Sequence, residues 1–172
     1  MKALRLSKVG SLDGISWENV PDPIVGEHDV LVKIKANSLN YRDYGFITGA
    51  YSLVKPLPIV LGSDGAGIVE KIGSKVTQFK PGDRVISLLR QNWQSGKLNL
   101  EKAAAQLGGT VDGVFSEYYS FHEESVLKAP SHLTFEEAAT LPTAGLTAFR
   151  VLIESGITTG QSVLVQGTGA VS

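Results

Sequence analysis

The sequence predicts a mainly β fold with short helices, in which a small closed β-barrel is followed by the start of a nucleotide-binding unit. Two observations support this prediction. A hairpin-like stretch from Pro58 to Ile86 carries glycines inside its first strand, as a barrel needs where the chain turns a corner. After Leu127 the apolar spacing changes from period two to helical, and an apolar run then leads into a glycine-rich turn.

The amino-acid composition argues against several classes of protein and excludes cysteine-based chemistry. The chain has 172 residues, a formal net charge of −1 and no cysteine. The balanced charge argues against a nucleic-acid partner, and no apolar run approaches the ~20 residues of a membrane span. The absence of cysteine excludes disulfides, thiolate catalysis and a cysteine-based zinc site. The N-terminus has no apolar signal region, so we expect a cytoplasmic protein.

The first 50 residues predict strands followed by a short helix. Alternation indicates strands over Lys2–Lys8, Trp17–Val20 and Asp29–Leu39, the last with one apolar face and one lysine-bearing face. Residues 40–48 are expected to form a helix of one or two turns that ends before Gly49.

The central stretch predicts a bent hairpin. Its strands are expected over Gly65–Ile72 and Arg84–Leu89, joined through Pro81-Gly82-Asp83 in the pattern of a type II turn. Glycines inside the first strand mark a bulge or the close approach of another backbone.

The next 40 residues predict a helix and two strands. The helix is expected within Leu98–Leu107, and the strands over Val114–Tyr119 and Ser125–Ala129. Trp93 is expected to cover a pocket, to anchor this segment in a partner subunit or simply to pack locally.

The last segment predicts two helices and a strand. A capping box at Thr134–Glu137 begins the first helix, and Thr143–Ser155 is the second, after Pro142. Ser162–Gln166 resembles a buried parallel strand. Because it runs into Gly167-x-Gly169-x-x-Ser172, a phosphate-binding turn or an ordinary glycine-rich turn, we expect a fragment cut at the start of a nucleotide-binding domain.

Candidate site residues occur where strands meet turns. From the residues alone, Asp64 could be a general base, a metal ligand or, as we favour, a hydrogen-bonded structural carboxylate. The junction at residues 40–43 offers Asn, Tyr, Arg and Asp, but we favour Asn40 as a helix cap and Arg42 and Asp43 as surface charges. The three histidines (His28, His122 and His132) match no ligand spacing.

Six motifs together resemble the medium-chain dehydrogenase/reductase superfamily. They are NYRD at 40–43, LGSDGAGIVEKIG at 61–73, KPGDRV at 80–85, LGGTVDGVFSEYY at 107–119, EEAATLPTAGLTAFR at 136–150 and VLVQGTGAVS at 163–172. The similarity is to the zinc-free branch, related to quinone oxidoreductases and NAD(P)-dependent alcohol dehydrogenases. It implies a co-chaperonin-like (GroES-like) catalytic β-barrel over residues 1–128, then a helical connection and the first strand of a truncated Rossmann domain over 129–172.

The departures from the zinc-dependent pattern concern the metal. Those members carry Cys where this chain has Asn40, and His and Glu where it has Ser63 and Asp64. The segment 90–113, which corresponds to their structural zinc lobe, has no cysteine. The resemblance therefore implies neither a catalytic nor a structural zinc.

The resemblance also implies roles for individual residues. It places Asn40, Tyr41, Asp43 and Tyr51 near the nicotinamide and the substrate. It assigns cofactor binding to Thr143, Thr147, Gly167, Thr168, Gly169, Val171 and Ser172. The implied reaction is hydride transfer from NADPH, with NAD as the other possible cofactor, to a quinone, an enal or enone, or a carbonyl compound.

The resemblance implies a small-molecule substrate and a homodimer for the full-length protein. The chain by itself is expected to be inactive, since most Rossmann elements are missing. Two alternatives stay open: a zinc-type alcohol dehydrogenase-like enzyme, and a non-enzymatic barrel that serves as a binding or structural module.

Overall fold

The computed structural model describes residues 1–52, 56–169 and 171. The strands of this part of the chain are β1 (Lys2–Leu6), β2 (Ile15–Asn19), β3 (Asp29–Ser38), β4 (Ile59–Val60), β5 (Asp64–Ile72), β6 (Arg84–Ser87), β7 (Tyr118–His122) and β8 (Val126–Lys128). The α-helices are α1 (Tyr41–Thr48), α2 (Leu100–Ala104), α3 (Phe135–Ala139) and α4 (Leu146–Glu154). A π-helical turn, Leu141–Gly145, connects α3 to α4.

Two antiparallel sheets form a curled half-barrel. One sheet has the order β2-β1-β4, and the other has the order β7-β3-β5-β6-β8. The sheets are joined where the Leu4 N–H donates to the Phe115 carbonyl over 2.7 Å and Ala3 pairs with Ser116. The prediction of a mainly β fold with short helices is confirmed.

Alternation along β3 places its predicted apolar face in the core. Val30 and Val32 are buried, whereas Lys33 and Lys35 on the opposite face are exposed. The main hydrophobic cluster comprises Val30, Val32, Val69, Phe79, Val85, Leu107, Val114, Phe121 and Val126. Its members come from the predicted hairpin, from strands β3, β7 and β8, and from the connection between α2 and β7.

Helix α1 follows directly on the end of β3. The Asp43 carboxylate accepts a hydrogen bond of 2.8 Å from the Asn40 N–H, which satisfies a backbone donor at the start of the helix. Phe46 and Ile47 on its buried side pack against the cluster of Leu6, Ile59, Leu61 and Phe115. The predicted helix is therefore present and is anchored by these apolar contacts.

The central hairpin has the predicted turn and the predicted close approach. Gly82 has a φ of 93°, the positive value that the third position of a type II turn requires. Gly67 pairs with Ile34 beside an irregularity in the β3–β5 register. A Cβ at Gly67 would lie 2.3 Å from the Lys33 carbonyl oxygen, so only glycine lets the two backbones meet.

Several elements differ in their bounds from the sequence prediction, and contacts distant in sequence explain two of these differences. Helix α2 ends at Ala104, because Gln106 and Leu107 form β-bridges with Arg90 and Val111. Strand β7 begins at Tyr118, not at residue 114, because the preceding residues pair with β1. In both cases a contact distant in sequence overrides the local preference.

The predicted strand at residues 162–166 is wrong. These residues form no strand ladder within the described chain, and Leu164 is 88% exposed. A strand needs a neighbour for its backbone hydrogen bonds, and the described residues supply none there. The apolar side of α4 is likewise exposed, at Leu146, Phe149, Val151 and Ile153. Among the described residues, every helix is too short or too polar to cross a membrane.

We expect Gly67→Ala to lower the free energy of unfolding by about 2 kcal/mol or more, because the added methyl group must push β3 away from β5. Gly169→Ala is the control, because a Cβ there meets nothing within 4 Å. Urea denaturation followed by circular dichroism measures both. Equal midpoints for Gly67→Ala and the wild type would contradict this account of the close approach.

Candidate active site

The polar residues of the predicted site lie where β3 ends and β5 begins. Ser38 at the end of β3 pairs with Asp64 at the start of β5, and just beyond this last pair the side chains of Asn40 and Ser63 meet. The Asn40 side-chain amide donates to the Ser63 hydroxyl over 3.4 Å. Antiparallel register thus brings together residues that are 23 positions apart in sequence.

Asp64 is fully buried, and Thr143 binds both oxygens of its carboxylate. The Thr143 hydroxyl donates to Asp64 Oδ1 over 2.6 Å, and the Thr143 N–H donates to Oδ2 over 3.0 Å. A buried carboxylate needs such donors, because desolvation otherwise disfavours its charge. The pair fastens the π-helical turn to the start of β5.

A buried hydroxyl holds the backbone on both sides of Asp64. Ser87 Oγ donates to the Ser63 carbonyl over 3.1 Å and accepts from the Gly65 N–H over 3.0 Å. On the other side, the Asn37 amide donates to the Asp64 carbonyl over 3.2 Å. These bonds fix the position of the carboxylate independently of α1.

The interpretation of Arg42 and Asp43 as surface charges is wrong. The Arg42 guanidinium donates to the Leu107 carbonyl over 2.9 Å and lies 4.8 Å from the Phe46 ring centroid. Asp43 is 4% exposed, and its Oδ1 has no hydrogen-bond partner among the residues that the structure describes. The first turn of α1 packs inward onto the segment that contains Leu107, a contact that local sequence does not reveal.

Burial shifts the pKa of both Asp43 and Arg42. Desolvation raises the pKa of Asp43 above its ordinary value, and the Asn40 N–H and the Arg42 charge oppose that rise. Desolvation likewise lowers the pKa of Arg42, while the nearby charges of Asp43 and Asp64 oppose the change. Two carboxylates and one guanidinium therefore share this buried region.

Three tyrosines form an exposed aromatic cluster beside α1. The ring centroids of Tyr41 and Tyr44 are 5.9 Å apart, and those of Tyr41 and Tyr51 are 6.4 Å apart with the rings edge to face. Tyr51 also contacts Phe46 edge to face at 6.1 Å. The structure thus brings together the two predicted tyrosines and adds Tyr44, which its spacing of three from Tyr41 on a helix could have revealed.

A cleft of about 360 Å³ lies between α4 and the segment after β6. Thr143 and Thr147 line it together with Trp93 and Arg90, so Trp93 lies at a pocket. The Thr147 hydroxyl donates to the Thr143 carbonyl over 2.6 Å. No motif near Arg90 in the sequence indicated that it lines the cleft.

The glycine-rich turn lies apart from this cleft. Gly167, Thr168, Gly169 and Val171 are exposed, and a Cβ built on either glycine meets nothing within 4 Å. Ser172, the last predicted cofactor residue, lies outside the described residues. The structure therefore does not place the turn against Thr143 or Thr147.

Acidic and histidine side chains meet elsewhere on the barrel. His28 and His122 stack with ring centroids 5.8 Å apart, and His28 Nδ1 is 3.7 Å from a Glu123 oxygen. Pairing of Asp29 with His122 in the β3–β7 register explains this contact. The two histidines are far apart in sequence, so their spacing did not indicate it. Across residues 1–52, 56–169 and 171, however, no three His, Cys, Asp or Glu side chains are arranged to hold a metal ion.

Known proteins are similar to this chain in sequence and in fold. The alcohol dehydrogenase GroES-like domain matches residues 26–131. A zinc-type alcohol dehydrogenase-like protein of Schizosaccharomyces pombe is 46% identical over 147 residues, which cover 84% of this chain and 42% of that protein. Quinone oxidoreductase of Lama guanicoe is 33% identical over 97% of this chain and 45% of its own length.

A plant relative and a solved structure extend the comparison. The 2-methylene-furan-3-one reductase of Solanum lycopersicum is 36% identical over 97% of this chain and 40% of its own length. The crystal structure of a putative alcohol dehydrogenase from Sinorhizobium meliloti 1021 superposes with a TM-score of 0.82 at 40% identity, over 90% of this chain and 46% of that one. This chain spans less than half the length of these curated relatives.

We expect Asp43→Asn to stabilise the protein more at pH 7 than at pH 3.5. The pKa of Asp43 is higher in the folded state, so its contribution to stability is complete below the unfolded value and falls as pH rises between the unfolded and folded values. Asparagine carries no charge at either pH and keeps an oxygen for the Asn40 N–H. Thermal midpoints at both pH values test this.

The control for that measurement is Asp13→Asn, which removes an exposed carboxylate. A midpoint difference for Asp43→Asn that is the same at pH 3.5 and pH 7 would contradict the raised pKa.

Proposed function

Because the chain belongs to the alcohol dehydrogenase GroES-like domain family, within the medium-chain dehydrogenase/reductase superfamily, we propose that the protein carrying it is an NAD(P)-dependent oxidoreductase. The observation that supports this most directly is the bond between Asp64 and Thr143. It joins the polar end of the barrel to the wall of the cleft, so that a substrate and a cofactor can meet there.

Thr143 and Thr147 are the proposed contacts for the nicotinamide. They lie in a cleft whose lining also includes Trp93, Leu146 and Arg150, which offer apolar surface and positive charge. In the proposed full site, Gly167, Thr168, Gly169, Val171 and Ser172 hold the pyrophosphate through their backbone N–H groups. The bound nucleotide, NADPH with NADH as the alternative, supplies the hydride.

The proposed acceptor is a quinone or an enal or enone. Relatives named quinone oxidoreductase and 2-methylene-furan-3-one reductase support this choice. Such acceptors develop negative charge on oxygen as hydride arrives, and hydrogen-bond donors aimed at that oxygen stabilise it. Tyr41 and Tyr51 carry hydroxyls in the exposed cluster, and Asn40, which precedes Tyr41 in the chain, contributes a side-chain amide that contacts Ser63.

Asp43 has a positioning role in this proposal. Its carboxylate accepts from the Asn40 N–H over 2.8 Å and so sets the backbone that carries Asn40 and Tyr41. Asp43 is buried, whereas Tyr41 is 67% exposed. Asp43 therefore orients the two polar residues, and Asn40 and Tyr41 meet the substrate.

Asn40, Ser63 and Asp64 do not fit a catalytic zinc. Zinc sites in proteins use thiolate, imidazole and carboxylate ligands, whereas Asn40 and Ser63 offer an amide and a hydroxyl. Both oxygens of Asp64 already accept hydrogen bonds from Thr143. We therefore propose a reaction without zinc, in which side-chain donors polarise the acceptor.

A zinc-type enzyme is the second candidate, because a relative with 46% identity is named zinc-type alcohol dehydrogenase-like. We expect elemental analysis of the whole gene product, purified without chelator, to find zinc well below one atom per chain. The control is the same preparation after incubation with zinc and dialysis. Retention of one zinc per chain, lost on Asp64→Ala, would favour the second candidate.

We expect Asn40→Ala and Tyr41→Phe each to lower kcat/KM for a quinone or enone by up to about 10²-fold, because each removes one donor from the developing oxyanion. Steady-state rates with the full-length protein and NADPH measure this. Tyr118→Phe is the matched control, on β7 and away from the cleft. Unchanged kinetics in both site variants would overturn the assignment.

A further inference from the structure

The bond between Asp64 and Thr143 fixes the direction of the Thr143 hydroxyl. Both carboxylate oxygens of Asp64 accept from Thr143, one from its hydroxyl over 2.6 Å and one from its N–H over 3.0 Å. A hydroxyl has one proton and two lone pairs. Once its proton is committed to Asp64, Thr143 can offer only lone pairs to a molecule in the cleft.

A nicotinamide ring changes charge during the reaction proposed above. When C4 gives up hydride with its electron pair, the neutral reduced ring becomes a pyridinium cation, and the acceptor gains the hydride and the negative charge. Lone pairs and a nearby carboxylate favour the cation over the neutral ring. The same groups give no such preference to a ring that stays neutral.

We propose that Asp64 is a positioning residue that acts through Thr143 to stabilise the positive charge of the oxidised nicotinamide ring. This inference rests on the proposed function. It goes further by giving Asp64 a role in the energetics of the cofactor, where sequence alone favoured a purely structural carboxylate. Asp64 is suited to this role because it is fully buried, so water screens its charge less than it would screen an exposed carboxylate.

Other charged groups near Asp64 also contribute to the electrostatic potential at the cleft. The Arg42 guanidinium lies within electrostatic reach of Asp43, Asp64 and Arg90, and Arg90 itself lines the cleft. Arg90 opposes the proposed effect, and Arg42 partly offsets Asp64. Replacing Asp64 alone removes one negative charge and leaves the other three groups in place.

The test compares affinities for the two redox states of the cofactor. Calorimetry on the full-length protein gives the dissociation constants of oxidised and reduced nicotinamide nucleotide for the wild type and for Asp64→Asn. We expect the ratio of the oxidised to the reduced constant to rise by about tenfold, since hydrogen bonds to charged groups contribute at this level. In turnover, kcat for hydride donation falls while KM for the reduced cofactor changes little.

Variants of Thr143 test the route of the effect. Thr143→Val removes the lone pairs and is expected to raise the same ratio, whereas Thr143→Ser keeps the hydroxyl and retains the wild-type ratio. These variants also decide the matter if Asp64→Asn does not fold. Thr140→Val is the control, because the Thr140 hydroxyl donates to the Glu137 carbonyl on an exposed part of the chain.

The outcomes separate the two proposals. If the full-length wild type binds no nicotinamide nucleotide, the proposed function fails and this inference fails with it. If the nucleotide binds and the ratio stays within about twofold in Asp64→Asn and Thr143→Val, the function stands and the role of Asp64 is refuted. An equal rise in Thr140→Val would also refute it.

Discussion

The bond between Asp64 and Thr143 is the constraint on which the arrangement of the site depends. It spans 79 positions of sequence and ties the first residue of β5 to the turn between α3 and α4. Ala138 and Ala139 of α3 pack beside it against Ala66 and Ile86, and their small side chains let the helix lie close to the sheet. Without this bond a buried carboxylate would lose both of its donors, and the wall of the cleft would lose its anchor.

Register and small residues bring that carboxylate to the edge of the barrel. Pairing of Ser38 with Asp64 puts the end of β3 beside the start of β5, and Gly67 lets the two backbones approach farther along the pair. Helix α1 begins at the same edge, so Asn40 comes to lie next to Ser63. The site therefore forms at the ends of strands. The residues there lie beyond the last backbone pair of the sheet, but the adjoining strands still fix their positions.

The local sequence pattern was sufficient to locate those elements whose structure depends on neighbouring residues. Alternation located β1 and β3, the capping box located α3, and the Pro81-Gly82 pair located the turn before β6. It failed where distant contacts decide. Strand β7 starts late because the residues before it pair with β1, and Arg42 is half-buried because a carbonyl 65 positions away accepts its hydrogen bond. The prediction of a strand at 162–166 was wrong because a distant contact is missing: a strand requires a partner that the described residues do not provide.

The two sides of the candidate site differ in polarity, as the proposed hydride transfer would require. Beside α1 lie hydroxyl and amide donors, at Tyr41 and Asn40, which can stabilise negative charge on an acceptor. At the cleft, Thr143 has committed its proton to Asp64 and presents lone pairs, which suit positive charge on a donor. A hydride moving between the two would leave each partner with the charge that its own side accommodates. A single buried carboxylate on β5 would then both hold the cleft in place and give it this polarity.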